Sequence, residues 1–471
     1  MQAAHIFMKM QMLKIKIILT LSLFILPFHY HLDNTEVSNS QRKVIYKLSS
    51  SDKKFLDTLQ HRTFLYFWYE CNPDNGLVKD RSTIDSPASI AAVGFALPIW
   101  AIGVEHKWIS RDEAVKRTLS ALNFFMHSEQ SKNPLATGYE GLYYHFLNMK
   151  TGERMWSCEL STIDTGLLIA GIRFARQYYK LNNKNEKKIR SLADSITYRV
   201  NWNFMTVPDS GKYAGLISMA FRPEKGISDY GWHGYNEALI LQIIAAGSGF
   251  SDYQKSYDGW LKTYEWHEPY PGLAHVIFPP LFGHQYSHMF VDFSGIYDKY
   301  MKKKGIDYFE NSRRATLTQR LYAMQNPGGW KGYDSLIWGL TACDGPGPSN
   351  NRDGKKFFEY SARGTSGPGI VQDDDGTIAP TAAAGSIVFA PKVVIPALEA
   401  MKDKYGNKGL WNKYGFVDSF NPTINWYDTD YLGIDEGPIV IMIENFRNGF
   451  VWKYMMKDTI IKTGLKKLGF K

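Results

Sequence analysis

Along this chain, segments apolar on every side alternate with segments that have one polar face. "SIAAVGFALPIWAIGVE" (89–105) is apolar nearly all round, and "SRDEAVKRTLSALNFFMHSEQ" (110–130) is amphipathic. "STIDTGLLIAGIRFARQYY" (161–179) is mostly apolar, and "EKKIRSLADSITYRVNWNFM" (186–205) is amphipathic again. "NEALILQIIAAG" (236–247) and "DYQKSYDGWLKTYEW" (252–266) repeat the alternation. A helix with no polar face must be enclosed by protein, and an amphipathic one can enclose it. The spacing predicts a first helix from Ser51, with apolar residues at Phe55, Leu56, Leu59, Phe64 and Phe67. Later candidates are 288–303, 307–325, 335–343, the Ala-rich 379–405 and 437–457, about a dozen in all. The expected fold is all-α, an (α/α)6 barrel of inner and outer helices. An α-solenoid would alternate in the same way, but no fixed-length repeat is present. Strand-like pieces are few and short, "GLYYHFLN" and "AGLISMAFR" among them.

Four connections are long and rich in Gly and aromatics: 131–160, 206–235, 267–287 and 345–377. Loops of that length in a compact domain are usually functional, and here they are expected on one face of the barrel. The 13 Trp and 29 Tyr in 471 residues suit flat apolar ligands such as sugar rings, and equally a large core with many half-buried aromatics.

The N-terminus carries Lys14 and Lys16 ahead of an apolar run from Ile17 to Phe28, the length of a signal-peptide core and short for a membrane span. Residues 1–30 are read as an export signal, with Met8, Met10 or Met12 as alternative starts. Residues 31–50 are read as a polar linker and 51–471 as one barrel domain. No Cys follows the run, so no lipoprotein anchor is expected, and the location is periplasmic or secreted. The net charge of +9 sits largely at the ends, with Lys453, Lys457, Lys462, Lys466, Lys467 and Lys471 in the tail. No basic stripe interleaved with aromatics indicates nucleic acid. Three cysteines, Cys71, Cys158 and Cys343, are no disulfide framework, though one bridge could form after export. No metal-binding motif is present, and neither cofactor nor metal is expected. His284 and His288, four apart, have no third ligand at suitable spacing and read as packing or substrate contacts.

Three predicted inner-helix starts carry acids in aromatic sequence. They are Glu159 and Asp164 in "ERMWSCELSTIDTGLLIAG", Glu237 in "GWHGYNEALIL", and Asp428, Asp430, Asp435 and Glu436 in "NWYDTDYLGIDEGPIVIM". Any one of them could simply cap its helix, and "STID" has the look of a capping box. Three such sites together point instead to glycoside hydrolysis, in which one carboxylic acid protonates the leaving oxygen and another activates water or attacks the sugar. Burial beside Trp232, His233 and Tyr235 would keep Glu237 protonated near neutrality. Trp156 and Trp426 offer stacking surfaces, and Arg81 and Asp85 precede the first inner helix and are candidates for the same face.

Taken together, "WSCELSTIDTGLLIAG", "GWHGYNEALIL", "FNPT" (420–423) and "YLGIDEGPIVIMIENFRNGFVW" resemble the bacterial glucoamylase-like glycoside hydrolase family that includes endo-β-1,2-glucanases. The resemblance runs from about Phe55 to Lys457. It implies an (α/α)6 barrel, glucan hydrolysis and an inverting mechanism, with β-1,2-glucan or its oligosaccharides as the expected substrate; a monomer is expected as the working unit. It marks Glu159, Asp164, Glu237 and Asp435 as pocket acids and favours Glu237 as general acid. The water-activating group stays open among Asp164, Asp435 and Asp430. Glu436 stands where the family pattern has Gln, and would add a negative charge. Rival readings are a polysaccharide lyase, which would suit the basic charge but not an acid-rich pocket, and a glycan-binding protein without activity.

Overall fold

The computed structural model describes residues 46–209 and 212–471. The expected export signal, and the expected linker up to residue 45, lie outside the described residues. The helix α1 (Ser50–Tyr69) is opened by a reciprocal cap in which Ser49 and Asp52 each bond the other's backbone N–H. Then α2 (Ile90–Glu105), buried over almost its whole length, is followed by amphipathic α3 (Arg111–His127). The same inner–outer order recurs in α4 (Thr162–Tyr178) and α5 (Lys184–Arg199), then in α6 (Leu239–Gly247) and α7 (Tyr253–Leu261).

The second half of the ring is less regular. Inner α8 (Tyr286–Phe290) is a short turn of helix, separated by α9 (Lys299–Lys304) from the outer α10 (Tyr308–Gln325). Inner α11 (Pro380–Ala384) precedes outer α12 (Pro391–Tyr405), and α13 (Gly433–Asn448) returns to the centre. Six inner helices (α2, α4, α6, α8, α11, α13) thus alternate with six outer ones, α1 leading, in the (α/α)6 arrangement. Side chains tie inner neighbours together. Ser287 bonds the Glu237 carbonyl at 2.9 Å, Gln285 the Ala382 carbonyl at 2.8 Å, and Thr381 the Asp435 carbonyl at 2.7 Å.

The backbones of helices α2 and α4 come into contact where Gly94 meets Gly171. A methyl on Gly171 would lie 1.9 Å from the Gly94 carbonyl oxygen, so no larger residue fits there. Gly171→Ala is expected to cost about 1–3 kcal/mol, because backbones rather than flexible side chains must move apart. A reversible denaturant titration reads the loss, and an unchanged midpoint would refute the close contact.

Three sequence expectations are corrected. Residues 335–343 form no helix. They run as an extended, largely buried connection, with Ala342–Cys343 paired to Ser361–Ala362. The segment 288–303 holds the end of α8 and the start of α9 with non-helical chain between, and 379–405 breaks between α11 and α12, where Pro391 opens the second helix. The expected last helix, 437–457, breaks at Gly449 between α13 and α14 (Phe450–Met455), and α15 (Thr459–Lys467) follows beyond it. Asp458 caps α15 and receives the buried Arg173 guanidinium of α4 at 2.7 Å. All three cysteines are free and buried, so no bridge joins them. No helix among the described residues is long and apolar enough to cross a membrane.

Connections on one face of the ring are short: 106–110, 179–183 and 248–252. Those leading into the inner helices are long: 70–89, 128–161, 200–238, 262–285, 326–379 and 406–432. The topology therefore places every inner-helix N-terminus under a thick layer of loops.

Candidate active site

A cavity of about 540 Å³ opens between that loop layer and the N-termini of the inner helices, a volume ordinary for a small-molecule site. Its wall draws on loops from all parts of the chain, including Arg81, His145, Trp156, Arg222, Asp344 and Tyr360. The acids Glu159, Asp164 and Glu237 all line it.

Glu237 sits just before α6. The N-cap of that helix is Ala238 and no side chain caps it, so Glu237 is not there as a cap. Its carboxyl is buried and its Oε2 has no hydrogen-bond partner. Burial, and next the negative charge of Asp164, push the group up to about 8. At neutral pH it holds its proton.

Asp164 lies in the first turn of α4. Ser161 is the cap, accepting from the Asp164 N–H at 3.2 Å, and its hydroxyl donates to Asp164 Oδ2 at 2.5 Å. The reciprocal half of a capping box is not made, because the carboxylate takes the hydroxyl of Ser161 rather than its N–H. His145 Nε2 stands 3.6 Å from Asp164 Oδ1, while its Nδ1 lies 3.0 Å from Glu159 Oε1. Burial raises Asp164, and the His145 cation and the Ser161 hydroxyl oppose that rise. His145 is pulled up to about 9 against its own burial by the Asp164 and Glu159 carboxylates. Arg222 completes the group at 2.8 Å from Glu159 Oε2. Burial disfavours the Glu159 carboxylate, yet His145 and Arg222 hold it down at about 2. One wall therefore carries an ion-paired chain, Arg222–Glu159–His145–Asp164, and Glu237 faces it as a neutral acid.

Aromatic surfaces flank the acids. Trp156 is 47% exposed at the cavity, its ring centroid 5.3 Å from that of Phe146, which in turn stacks on His145. Trp232 is buried in the wall with its N–H on the Thr162 hydroxyl at 2.9 Å. Across the cavity, Arg81 binds Asp344 at 2.8 Å and also approaches Asp80 and Asp430, at 3.5 and 3.6 Å.

The family model described as "Putative glucoamylase" matches residues 229–459. A solved structure of the same description from Bacteroides fragilis is 31% identical, with a TM-score of 0.74. The match covers 92% of this chain and 99% of that one. The chain belongs to the glucoamylase-like family. Another family-like fold, the endo-β-1,2-glucanase from Chitinophaga pinensis, solved with sophorotriose and glucose, is 27% identical with a TM-score of 0.76. That match covers 90% of this chain and 99% of the other. An exo-β-1,2-glucooligosaccharide sophorohydrolase (non-reducing end) from Parabacteroides distasonis is 26% identical over 93% of this chain. The chain spans 61% of the length of that relative.

Several residues expected in the site stand elsewhere. Asp85 lies in an exposed turn, away from the cavity wall. Trp426 sits half-buried on the hairpin of Phe420–Asn421 with Trp426–Tyr427 and is not part of the wall. His233 turns aside to the Gly231 carbonyl at 2.8 Å and stacks on Tyr213. Tyr235 is buried among Tyr264, His284 and Tyr308 rather than facing sugar. His284 and His288 are buried beneath α10, bonded to the Phe278 carbonyl at 3.2 Å and to Ser312 at 3.1 Å. Burial lowers both, so they are neutral packing groups.

Asp430 also stands behind the wall, its Oδ1 fastening the Ser82 N–H at 2.8 Å and accepting the Ser82 hydroxyl. Asp435, in the first turn of α13, is buried behind the wall. Burial, with the nearby charges of Asp344 and Asp80, pushes it to about 8. Glu436 is buried on the side of Thr63, and burial followed by the Asp435 charge holds it well above the usual carboxylate range. Among the wall residues not singled out from sequence are His145, Arg222, Asp80, Asp344, Tyr286 and Tyr360. His145 and Arg222 lie in or beside the two strand-like pieces, a signal of position but not of chemistry.

Proposed function

We propose that this chain is an exported glycoside hydrolase that cleaves β-1,2-linked glucan or its oligosaccharides by inversion. Glu237 is the general acid and Asp164 the carboxylate that activates water. The observation that carries this reading is the pairing of unlike states in one cavity: a neutral Glu237 with a bare Oε2, and an Asp164 held by His145 and Ser161. Burial raises both, but only Asp164 has a cation and a hydroxyl to favour its charged form, a difference that suits division into acid and base work. Of the three acids open as base, Asp164 alone lines the cavity, Asp430 and Asp435 standing behind it.

The linkage rests on the relatives, whose names specify β-1,2-glucan and β-1,2-glucooligosaccharides. Inversion rests on the family resemblance and on placement at the starts of separate inner helices, α6 and α4. Inverting pairs stand roughly 6.5–9.5 Å apart to admit water, against roughly 5–5.5 Å in retaining enzymes. Export rests on Lys14 and Lys16 before the apolar run 17–28. A lyase reading gains nothing here, since Arg81 and Arg222 are both committed to carboxylates.

The test is incubation with β-1,2-, β-1,3-, α-1,4- and mixed-linkage glucans, with products sized and the first-formed anomer read by proton NMR. The expected result is cleavage of the β-1,2 polymer or its oligosaccharides, with an α-anomer before mutarotation. Cleavage confined to another linkage would overturn the substrate, and an initial β-anomer would overturn inversion.

A further inference from the structure

Behind the Arg81 side of the cavity, three carboxylates from distant parts of the chain meet. One oxygen each from Asp344, Asp418 and Asp428 lies within 4.8 Å of the others. Asp344 follows the strand Ala342–Cys343, Asp418 precedes the hairpin strand Phe420–Asn421, and Asp428 follows its partner Trp426–Tyr427.

Each of the last two acids is held by one oxygen and leaves the other bare. Asp418 Oδ2 accepts the Asp344 N–H at 2.7 Å, and Asp428 Oδ1 accepts the Thr429 N–H at 2.7 Å. Asp418 Oδ1 and Asp428 Oδ2 are buried with no hydrogen-bond partner. A fourth acid from outside the trio adds an independent sign. Asp435 of α13 is 3% exposed, its Oδ2 has no partner, and its side chain reaches Asp418. Bare, buried carboxylate oxygens cost several kcal/mol unless paired or bound to a metal.

The nearby cations do not meet that need. Arg81 gives its Nη1 to Asp344 and also serves Asp80 and Asp430, and Arg363 is spent on buried Asp375 at 2.8 Å. An all-oxygen, carboxylate-rich donor set suits a hard divalent cation. Calcium tolerates an irregular arrangement drawn from loops, with ligands at roughly 2.3–2.6 Å, whereas magnesium demands a near-ideal octahedron.

We propose that Asp344, Asp418 and Asp428, backed by Asp435, form a calcium site that ties the 344 loop and the 411–427 hairpins to the start of α13. Asp344 belongs both to this site and, through Arg81, to the cavity wall, so the ion would stiffen that wall. No contiguous motif announces the site, because its ligands lie far apart in sequence.

The test uses the full chain stripped with EDTA and desalted. Calcium chloride is expected to raise Tm saturably, with one ion per chain by calorimetry, and magnesium to act more weakly. Asp418→Asn and Asp428→Asn should each abolish the calcium-dependent shift. In EDTA they should be at least as stable as the parent, since a repelling charge is gone. Should one variant fail to fold, the other carries the test. No binding or shift with calcium, or full calcium response in the folded variants, would overturn the site. Neither readout involves hydrolysis, so failure here leaves the proposed activity standing, and failure of that activity leaves this site standing.

Discussion

Glu237→Gln is expected to lower kcat/KM on a β-1,2-glucan by on the order of a hundredfold or more, the usual contribution of a positioned general acid. The substitution keeps the size of the side chain and removes its transferable proton. Since the carboxyl is already neutral in the folded protein, burying an amide there adds little cost, and the fold should survive. Substrate affinity should be retained, so the loss falls on kcat. The pH profile gives a second readout. Activity requires the protonated acid, with burial and Asp164 lifting its midpoint to about 8. In the parent enzyme kcat/KM should hold through neutrality and fall as pH rises through about 8. An ordinary carboxyl would already have lost its proton near pH 4–5. Near-normal turnover of the variant, or a parent profile declining from pH 5 upward, would remove Glu237 from the acid role.

The alternation of enclosed and amphipathic helices was legible because it is a local periodic signal. In 89–105 and 161–179 the apolar residues leave no face for water, and the inner position follows. The reading failed where apolar character came without helical geometry. Residues 335–343 are as apolar as an inner helix, yet they thread between layers as extended chain with Gln319 satisfying the Leu340 N–H and carbonyl. The site was half legible for a related reason. Glu159, Asp164 and Glu237 sit where an inner helix begins, so their convergence follows from the ring. His145, Arg222 and Asp344 come from two- and three-residue strands and loops, whose direction no period encodes. Nearness in sequence also misled. Tyr235 is two residues from Glu237 but packs the opposite way, into the Tyr264–Tyr308 cluster. Asp85 is four residues from Arg81 but on an exposed turn.

Asp164→Asn should lower kcat by on the order of a hundredfold or more if Asp164 takes the proton of the attacking water. Asn can still accept from Ser161, so α4 keeps its start, but it offers no base. A purely structural role for Asp164 would change stability and leave the pH behaviour of the residual activity alone. A base role that shares a cavity with Glu237 makes a sharper demand. The negative charge of Asp164 helps hold Glu237 at about 8, so its removal should bring the alkaline limb of the residual activity to lower pH. Burial, the larger cause, remains, so that limb should still lie above the ordinary carboxyl range. The His145 imidazolium loses one of its two carboxylate partners and should titrate lower, visible in its ring-proton NMR shifts. Truncation to Ala at the same position opens space for azide, which can attack the anomeric carbon without a base. Added azide should then restore turnover and yield an α-glycosyl azide from a β-glucan. An Asp164→Asn enzyme with parental kcat, or an Ala variant that azide leaves inert while its alkaline limb stays at the parental pH, would move the base role to another acid.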